Sequence, residues 1–344
     1  GVGSIAVAGG AFYVASELKG DEQLLGSQRS ANLGGWDTAG WHDASLGTNA
    51  TVTSMAVADG SLYAARAVYN YNAATSASYY TSTISRLDNG VWTSLPGVFS
   101  GVVNTLASID GSLYAGGTFS SIGVVRARTV ARWDGATWTG LGDLQISEVK
   151  TLAVGGGAVY VAGITGPNQN YNVIYRWDGA AWTLLGKAYG GTIEDIAVAP
   201  NGDLYIAGQF GYIESGYTTV NAVLVARWRA GAWEALPHDF RSSPNLYPYN
   251  AGGYALEIAA DGTVYLGGLF TSAGTPAMKN IVSYDGSWHA LGSGVDGAVL
   301  DLELSGGDLY VGGRLFKAGG KSSSNVAIWH GGNPSAIFLP LVIR

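Results

Sequence analysis

The sequence contains no cysteine, few charged residues and no long hydrophobic run. Without cysteine there is no disulfide, zinc–thiolate site, iron–sulfur cluster or thiol chemistry. Asp, Glu, Lys and Arg make up 12% of the residues, about half the usual share, and the net charge is −7. This charge would repel a phosphate backbone, so we expect no nucleic-acid partner. The most apolar stretch, residues 336–343, is far shorter than the ~20 residues of a membrane helix, so we expect no membrane span.

Apolar residues and glycine, by contrast, are abundant. Hydrophobic residues make up 47% of the chain, and glycine occupies 53 of its 344 positions. The apolar share is sufficient for a sizeable core and excludes a disordered chain. Because glycine weakens helices and no helical periodicity accompanies it, the composition favours strands joined by tight turns.

A seven-fold repeat organises the whole sequence. Its first element is an apolar residue followed by tyrosine, and the seven tyrosines are spaced 50, 51, 46, 45, 60 and 45 residues apart. Its second element is a Trp-Asp-Gly-x-x-Trp string, complete at residues 133–138 and 177–182, and all eleven tryptophans fall in its register. The repeat tyrosines are Tyr13, Tyr63, Tyr114, Tyr160, Tyr205, Tyr265 and Tyr310.

Each unit has the length and pattern of four short strands. In the third unit, residues 103–109 and 113–119 are apolar, β-prone segments separated by an Asp-Gly hairpin turn. Residues 128–134 and 137–142 form two further strands. Seven such units of about 45–50 residues predict an all-β fold, a seven-bladed β-propeller of four-stranded antiparallel blades.

The phase of the repeat predicts how the ring closes. Residues 2–13 match residues 52–63 position for position, and residues 335–339 lie where the last unit needs its fourth strand. Blade seven should therefore close on blade one without a strand exchanged between the termini, unless a neighbouring segment is missing from the sequence. Residues 340–344 should form a short apolar tail. The expected propeller spans residues 1–339, with blades at 1–49, 50–100, 101–146, 147–190, 191–252, 253–296 and 297–339.

Several segments resemble known propeller repeats. Second strands that end in Gly-Gly, at 116–117, 267–268 and 312–313, followed by tryptophans in strands three and four, resemble kelch-type repeats. The longer segments 264–294 and 309–331 are similar to the propeller repeats of secreted bacterial proteins and of fungal cortical polarity markers. The resemblance implies an extracellular or cell-surface protein whose leader has been removed. The copper radical oxidases among kelch propellers use a Cys-linked Tyr, which this chain lacks.

One face of the expected disc carries all the long connections. The turns between strands one and two, and between strands three and four, are short hairpins on the other face. The long loops, at residues 66–83, 209–222 and 237–253 above all, are rich in tyrosine and asparagine. Tyrosine offers an apolar face and a hydroxyl at low entropic cost, which suits recognition of a glycan or a polypeptide. The candidate ligand-binding residues are Tyr69, Tyr71, Tyr79, Tyr80, Tyr171, Tyr212, Tyr217, Tyr247 and Tyr249.

The competing interpretation is that these tyrosines pack over one another and only hold the loops in place. Other polar residues give weaker signals. The four histidines are scattered, so no metal site is expected. Four arginines share one repeat position near periodic aspartates, which indicates structural ion pairs. They are Arg86, Arg132, Arg176 and Arg227.

Carboxylates also recur in the first strands, which line the axial channel of a propeller. An axial calcium ion or a catalytic carboxylate pair there is a weaker alternative. The residues concerned are Glu194, Asp195, Glu257, Asp301 and Glu303.

The sequence contains no nucleophile motif, phosphate loop or zinc pattern, so it predicts neither an enzyme nor a cofactor. We expect an extracellular or cell-surface propeller that binds a glycan or a polypeptide through its Tyr/Asn-rich loop face. The alternative is a structural protein that self-associates through its blade edges and apolar tail. A hydrolase or lyase with a carboxylate or tyrosine site above the channel is the least favoured interpretation.

Overall fold

The computed structural model shows a seven-bladed β-propeller, which confirms the predicted fold class. Each blade is a sheet of four antiparallel strands, and the blades follow one another in sequence order. No helix that could cross a membrane occurs in the part of the chain that the structure describes. That part comprises residues 2–16, 23–25, 28–30, 32–47, 51–166, 170–241, 251–272, 278–323, 325–331 and 338–342.

The first three blades contain sixteen strands, of which the short pairs β3–β4 and β13–β14 lie in the connections between strands two and three of a blade. Blade one has β1 (Val2–Ala8), β2 (Ala11–Ser16), β3 (Gln23–Leu25), β4 (Gln28–Ser30), β5 (Leu33–Asp37) and β6 (Gly40–Asp43). Blade two has β7 (Thr51–Ala58), β8 (Ser61–Asn72), β9 (Ala77–Asp88) and β10 (Val91–Ser94). Blade three has β11 (Val103–Ile109), β12 (Ser112–Gly117), β13 (Ser121–Ile122), β14 (Val125–Arg126), β15 (Val130–Trp133) and β16 (Trp138–Gly140).

The other four blades follow the same order. Blade four has β17 (Glu148–Gly155), β18 (Ala158–Ile164), β19 (Tyr171–Trp177) and β20 (Trp182–Tyr189). Blade five has β21 (Ile193–Val198), β22 (Leu204–Gly208), β23 (Tyr212–Ser215), β24 (Thr218–Asn221), β25 (Val225–Arg229) and β26 (Ala232–Ala235). Blade six has β27 (Gly252–Ile258), β28 (Val264–Thr271), β29 (Lys279–Tyr284) and β30 (Trp288–Ala290). Blade seven has β31 (Val295–Ser305), β32 (Asp308–Ala318), β33 (Lys321–Ser322), β34 (Asn325–His330) and β35 (Phe338–Val342).

The turns between the first two strands of a blade depend on residues that accept positive φ. Asp59 and Gly60 have φ of 49° and 74°, and Asp110 and Gly111 have φ of 48° and 70°. Positive φ at both central positions is the geometry of a type I′ hairpin turn, which Asp-Gly favours. One face of the disc therefore carries tight turns, and the longer connections between strands two and three leave from the other face.

Every innermost strand carries a β-bulge at the same repeat position. One residue there is skipped in the register with the second strand, which bends the strand and increases its twist. The skipped residues are Gly3, Thr53, Asn104, Lys150, Glu194, Tyr254 and Leu300.

The innermost strands have no partner strand on the axial side, so side chains of the preceding blade bind amides that would otherwise lack an acceptor. Asp195 Oδ2 accepts a hydrogen bond from the backbone N–H of Leu256 at 2.7 Å. Asp301 Oδ2 accepts one from the N–H of Ile5, also at 2.7 Å. The second bond joins blade seven to blade one, and blade seven is built from its own four strands, so the ring closes without strand exchange.

The repeat tryptophan of the fourth strand fastens neighbouring blades. Trp138 and Trp233 are buried, and Trp182 and Trp288 are half-buried. All four lie opposite the aromatic residue of strand three, in the equivalent positions that the repeat predicts. The indole N–H of Trp92, Trp182, Trp233 and Trp288 donates to a carbonyl of the preceding blade, on Ala44, Leu141, Leu185 and Pro237 in turn.

Trp233→Phe is expected to lower the free energy of unfolding by roughly 1–3 kcal/mol more than Trp138→Phe. Both rings are buried, with 5% and 6% exposed. Trp233 Nε1 donates to the Leu185 carbonyl at 3.0 Å, whereas Trp138 Nε1 has no hydrogen-bond partner among the described residues. Only the first substitution leaves a buried carbonyl without its donor. Urea unfolding of the two variants measures the difference, and equal losses would contradict this role for the indole N–H.

The fourth strand of blade seven extends beyond the end that the sequence predicts. β35 pairs with β34 so that Phe338 lies opposite Trp329 and Val342 lies opposite Asn325. Phe338 lies at the register position that tryptophan holds in other blades, and residues 335–337 of the predicted strand 335–339 lie outside the described residues. Residues 340–342, expected in a tail, belong to this strand.

Candidate functional site

Five connections between strands two and three contain β-hairpins, on the face opposite the tight turns. We call four of them, at residues 68–81, 121–126, 212–221 and 314–322, the hairpin crown. Their large apolar side chains are the main exposed hydrophobic groups of this face. These side chains are Tyr69, Tyr71, Tyr79, Tyr80, Val124, Tyr217 and Phe316.

The hairpin of blade two presents four of the predicted tyrosines. Tyr69 lies opposite Tyr80, and their rings meet edge to face at a centroid distance of 5.4 Å. The hydroxyl of Tyr69 donates to Ser78 Oγ at 2.6 Å. Because side chains alternate along a strand, Tyr71 shares the face of Tyr69 and Tyr80, whereas Tyr79 lies on the other face. Tyr71 is 61% exposed, so this hairpin offers an aromatic surface to a partner.

Tyr171 and Tyr212 lie together, but in a structural arrangement. Tyr189 lies between them in register, 5.2 Å from Tyr171 and 4.9 Å from Tyr212 between ring centroids. The Lys187 ammonium lies 4.8 Å from the centre of the Tyr171 ring. This row of rings joins the β23–β24 hairpin of blade five to the outer strand of blade four, which covers that sheet edge. For these two residues the loop-holding interpretation fits, and Tyr189 completes a row that the repeat pattern did not reveal.

Tyr217 stands at the tip of the same hairpin and is fully exposed. Two comparable exposed residues were missed by the sequence analysis. Val124 is fully exposed at the tip of the hairpin of blade three, and Phe316 is 72% exposed on a strand of the hairpin of blade seven. Their signal in the sequence is an apolar residue in a strand two-to-three connection that contains a turn glycine. The predicted residues Tyr247 and Tyr249 lie outside the described residues.

The carboxylates of the innermost strands converge on the axial channel, a cavity of about 310 Å³. Asp195, Glu257, Asp301 and Glu303 line one side of it. Besides the bonds of the two aspartates, Glu257 accepts the N–H of Leu304 and Glu303 accepts the N–H of Val7. Their oxygens thus bind free strand amides of the next blade. No group of three or more His, Asp or Glu within the described ranges is arranged to hold a metal ion.

Burial in the channel makes these carboxyl groups hard to ionise. It raises the pKa of Asp195 to about 6 and that of Glu303 to about 7. The pKa values of Glu257 and Asp301 are also raised well above the usual range, first by burial and then by the neighbouring carboxylates. Hydrogen bonds from the strand amides act in the opposite direction and are the weaker influence.

The repeat arginines are only partly paired as the sequence predicts. Arg86 forms an ion pair with Asp88 at 2.7 Å, whereas Arg227 pairs with Glu234 at 2.6 Å. In other blades the repeat aspartate instead accepts hydrogen bonds from backbone amides of its own turn. In blade three, Asp134 Oδ1 accepts the amides of residues 136 and 137 at 2.9 and 2.8 Å. This explains why an Asp-Gly pair recurs between strands three and four.

The comparisons with known proteins identify the fold. The structure of YCF48 bound to D1 peptide has a TM-score of 0.54 and 11% identity, over 97% of this chain and 92% of that chain. A puromycin hydrolase complexed with PGG has a TM-score of 0.57 and 13% identity, over 100% of this chain and 54% of that chain. A Mycobacterium tuberculosis puromycin-hydrolysing peptidase has a TM-score of 0.52 and 12% identity, over 98% of this chain and 53% of that chain. No protein-family model and no curated protein matches the sequence.

Two expectations change with these results. The prediction that the protein is not an enzyme is contradicted, because propellers of the same architecture occur in peptidases. This chain spans about half the length of those hydrolases. The similarity in fold therefore leaves open whether this protein is an enzyme. The resemblance to kelch and cortical-marker repeats gains no support beyond the fold. The chain is a seven-bladed β-propeller, similar in fold to a peptide-bound protein and to peptidases.

Proposed function

We propose that the protein binds a polypeptide partner through its hairpin crown, at the cell surface or outside the cell. The observation that carries this proposal is the set of exposed aromatic and apolar residues on four separate hairpins of one face. Aromatic side chains are enriched where proteins bind one another, and a few of them supply most of the binding energy.

The chemistry of the exposed crown residues favours a polypeptide over a glycan. Val124 and Phe316 carry no polar group that could replace the water bound to sugar hydroxyls. They suit apolar side chains of a protein, next to which the tyrosines add hydroxyl groups. The YCF48 structure, which has the same fold, contains a bound peptide, and this supports a polypeptide as the partner class.

Peptide selection on the purified protein tests the proposal. A phage-displayed peptide library is selected against the wild-type chain, and each enriched peptide is measured against a crown variant that carries Tyr71→Ser, Val124→Ser, Tyr217→Ser and Phe316→Ser. We expect the affinity to fall at least about tenfold, because the hot-spot side chains are removed. The melting temperature should stay unchanged, since all four side chains are more than half exposed.

Val91→Ser is the matched control, because Val91 is 64% exposed and follows a tight turn on the opposite face. We expect it to leave peptide binding unchanged. Peptides that bind the wild type and the crown variant equally would contradict the proposal. Binding of a glycan array that is lost in the crown variant, without any enriched peptide, would indicate the glycan alternative.

A further inference from the structure

A cleft opens between blades three and four on the face of the tight turns, away from the hairpin crown. It has a volume of about 420 Å³, which lies within the range of small-molecule sites. Blade three contributes Asp110, Tyr114, Arg132 and Thr139, and blade four contributes Gly157 and Trp177. The short turns themselves offer few side chains, but the walls of this cleft consist of strand residues.

One wall is a row of hydrogen-bonding groups on adjacent strands. Tyr114 lies directly opposite Arg132, and Arg132 lies directly opposite Thr139, so all three side chains leave the same face of the sheet. The guanidinium group of Arg132 donates through Nε and Nη2 to Ser112 Oγ, at 3.2 and 2.9 Å. The row therefore presents a cation flanked by a phenol and an alcohol.

Arg132 differs in its pairing from the equivalent arginines of two other blades. The arginines at the same position of blades two and five form ion pairs with Asp88 and Glu234. No carboxylate among the described residues forms an ion pair with Arg132. Because a guanidinium fork matches a carboxylate in a two-point contact, this site is prepared for an external carboxylate.

The turn of blade four leaves the cleft open, whereas the turn of blade three is covered by its neighbour. At the interface of blades two and three, Asp59 lies on the turn of blade three. A β-carbon added to Gly111 there would be 2.7 Å from Asp59 Oδ2. At the interface of blades three and four, a β-carbon on Gly157 would meet no atom within 4 Å. Most blades share this open turn, and Gly111 is the exception; other open positions are Gly60, Gly202, Gly262 and Gly307.

The opposite wall and the rim add the features that a sugar ring requires. The Trp177 ring is half-buried and is held by Trp182 at a centroid distance of 5.3 Å, so it forms a fixed apolar platform. Asp110 and Asp134 lie at the exposed rim. Amides of its own turn lower the pKa of Asp134, which keeps it ionised as an acceptor for hydroxyl groups.

We propose that this cleft binds a sugar acid, with the carboxylate of a hexuronate residue on Arg132 and the ring on Trp177. Tyr114, Thr139 and the rim aspartates bind the ring hydroxyls. The cleft is separate from the hairpin crown, so a test of uronate binding is independent of a test of the proposed function.

Thr139→Glu is the decisive variant. It places a carboxylate opposite Arg132, as Glu234 lies opposite Arg227 in blade five, so the fold already accommodates this pair. Thr183→Glu is the matched control, because Thr183 lies opposite Arg176 one blade further on, outside the cleft. Isothermal titration calorimetry measures the affinity of each protein for glucuronate, galacturonate and trigalacturonate. Glucose, which lacks the carboxylate, and acetate, which lacks the ring, are measured for comparison.

We expect a uronate to bind the wild type and the Thr183→Glu variant alike, and Thr139→Glu and Arg132→Gln at least about tenfold more weakly. Glucose and acetate should each bind at least about tenfold more weakly than the uronate, because each lacks one half of the contacts. Tighter binding of trigalacturonate than of galacturonate would identify a polysaccharide as the source of the sugar acid, and equal binding would identify the free sugar acid. Failure of the wild type to bind any uronate, equal binding by Thr139→Glu, or acetate binding as tight as uronate would overturn the proposal.

Discussion

Gly163→Ala is expected to destabilise the protein by roughly 3 kcal/mol or more, because the added methyl group would overlap backbone, which cannot move aside as a flexible side chain can. Gly163 is the next-to-last residue of the second strand of blade four and lies opposite the β-bulge of the innermost strand. A β-carbon there would overlap the carbonyl oxygen of Glu148. This oxygen belongs to a strand that is paired on both sides of the bulge, so it can move only if the ladder is disrupted. The same overlap exists at Gly117, Gly208, Gly268 and Gly313.

Gly166→Ala is the matched control three residues further along the chain. Gly166 lacks a positive φ, and a β-carbon there meets no atom within 4 Å. Its replacement should change the free energy of unfolding by no more than about 0.5 kcal/mol. Urea and thermal unfolding of both variants test the prediction. If the two variants unfold at the same midpoint, the recurring glycine is not required by the bulge.

The protein is expected to be more stable at about pH 5 than at about pH 8 as far as the channel carboxyl groups determine it, by roughly 1–3 kcal/mol. The pKa values of Asp195, about 6, and Glu303, about 7, lie above the ordinary values of 3.8 and 4.5. The folded state therefore binds these protons more tightly than the unfolded state. Their stabilising contribution is complete below the ordinary pKa and is lost as the pH rises through about 6 to 7.

Other groups titrate outside this window or act against it. Turn amides lower the pKa values of Asp134 and Asp178, so their contribution is lost only in stronger acid. Burial lowers the pKa of His238, which makes the folded state less stable as the pH falls through the same window. A comparison of variants isolates the channel from both effects.

Glu303→Gln isolates the effect, since the amide oxygen still accepts the N–H of Val7 but carries no charge. We expect this variant to be more stable than the wild type by about 1–3 kcal/mol at about pH 8, with a smaller difference at about pH 5. Asp110→Asn removes an exposed carboxylate as the control and should follow the wild type. Urea midpoints across this pH range give the result. A Glu303→Gln curve that runs parallel to that of the wild type would show that the channel does not penalise charge.

The repeat made the architecture predictable. Trp138, Trp182, Trp233 and Trp288 recur once in each unit after the repeat tyrosine, and periodic anchors of this kind require equivalent surroundings. The end of the last fourth strand was not predicted, because residues 340–342 continue the ladder with β34 although no repeat residue marks them.

The candidate site was predictable as a face but not residue by residue. The lengths of the connections placed Tyr71 and Tyr217 correctly on the loop face. The pairing of Tyr171 and Tyr212 through Tyr189 involves strands of two different blades. Such a contact depends on where a hairpin of one blade docks on its neighbour, which no local pattern encodes.

By itself the sequence determined the number of blades, the order of strands and the face that carries the long loops, because these follow from local turns and a repeated apolar pattern. Only the tertiary structure decided where space remains open between neighbouring blades. Gly111 is covered by Asp59 and Gly157 is not, although both occupy the same turn position. Arg132 and Arg227 share one repeat position, but strand four places Thr139 opposite the first and Glu234 opposite the second, and among the described residues only the second forms an ion pair. Clefts depend on the tertiary structure because they arise between blades, where residues about 50 positions apart meet, and the repeat fixes their spacing but not their complementarity.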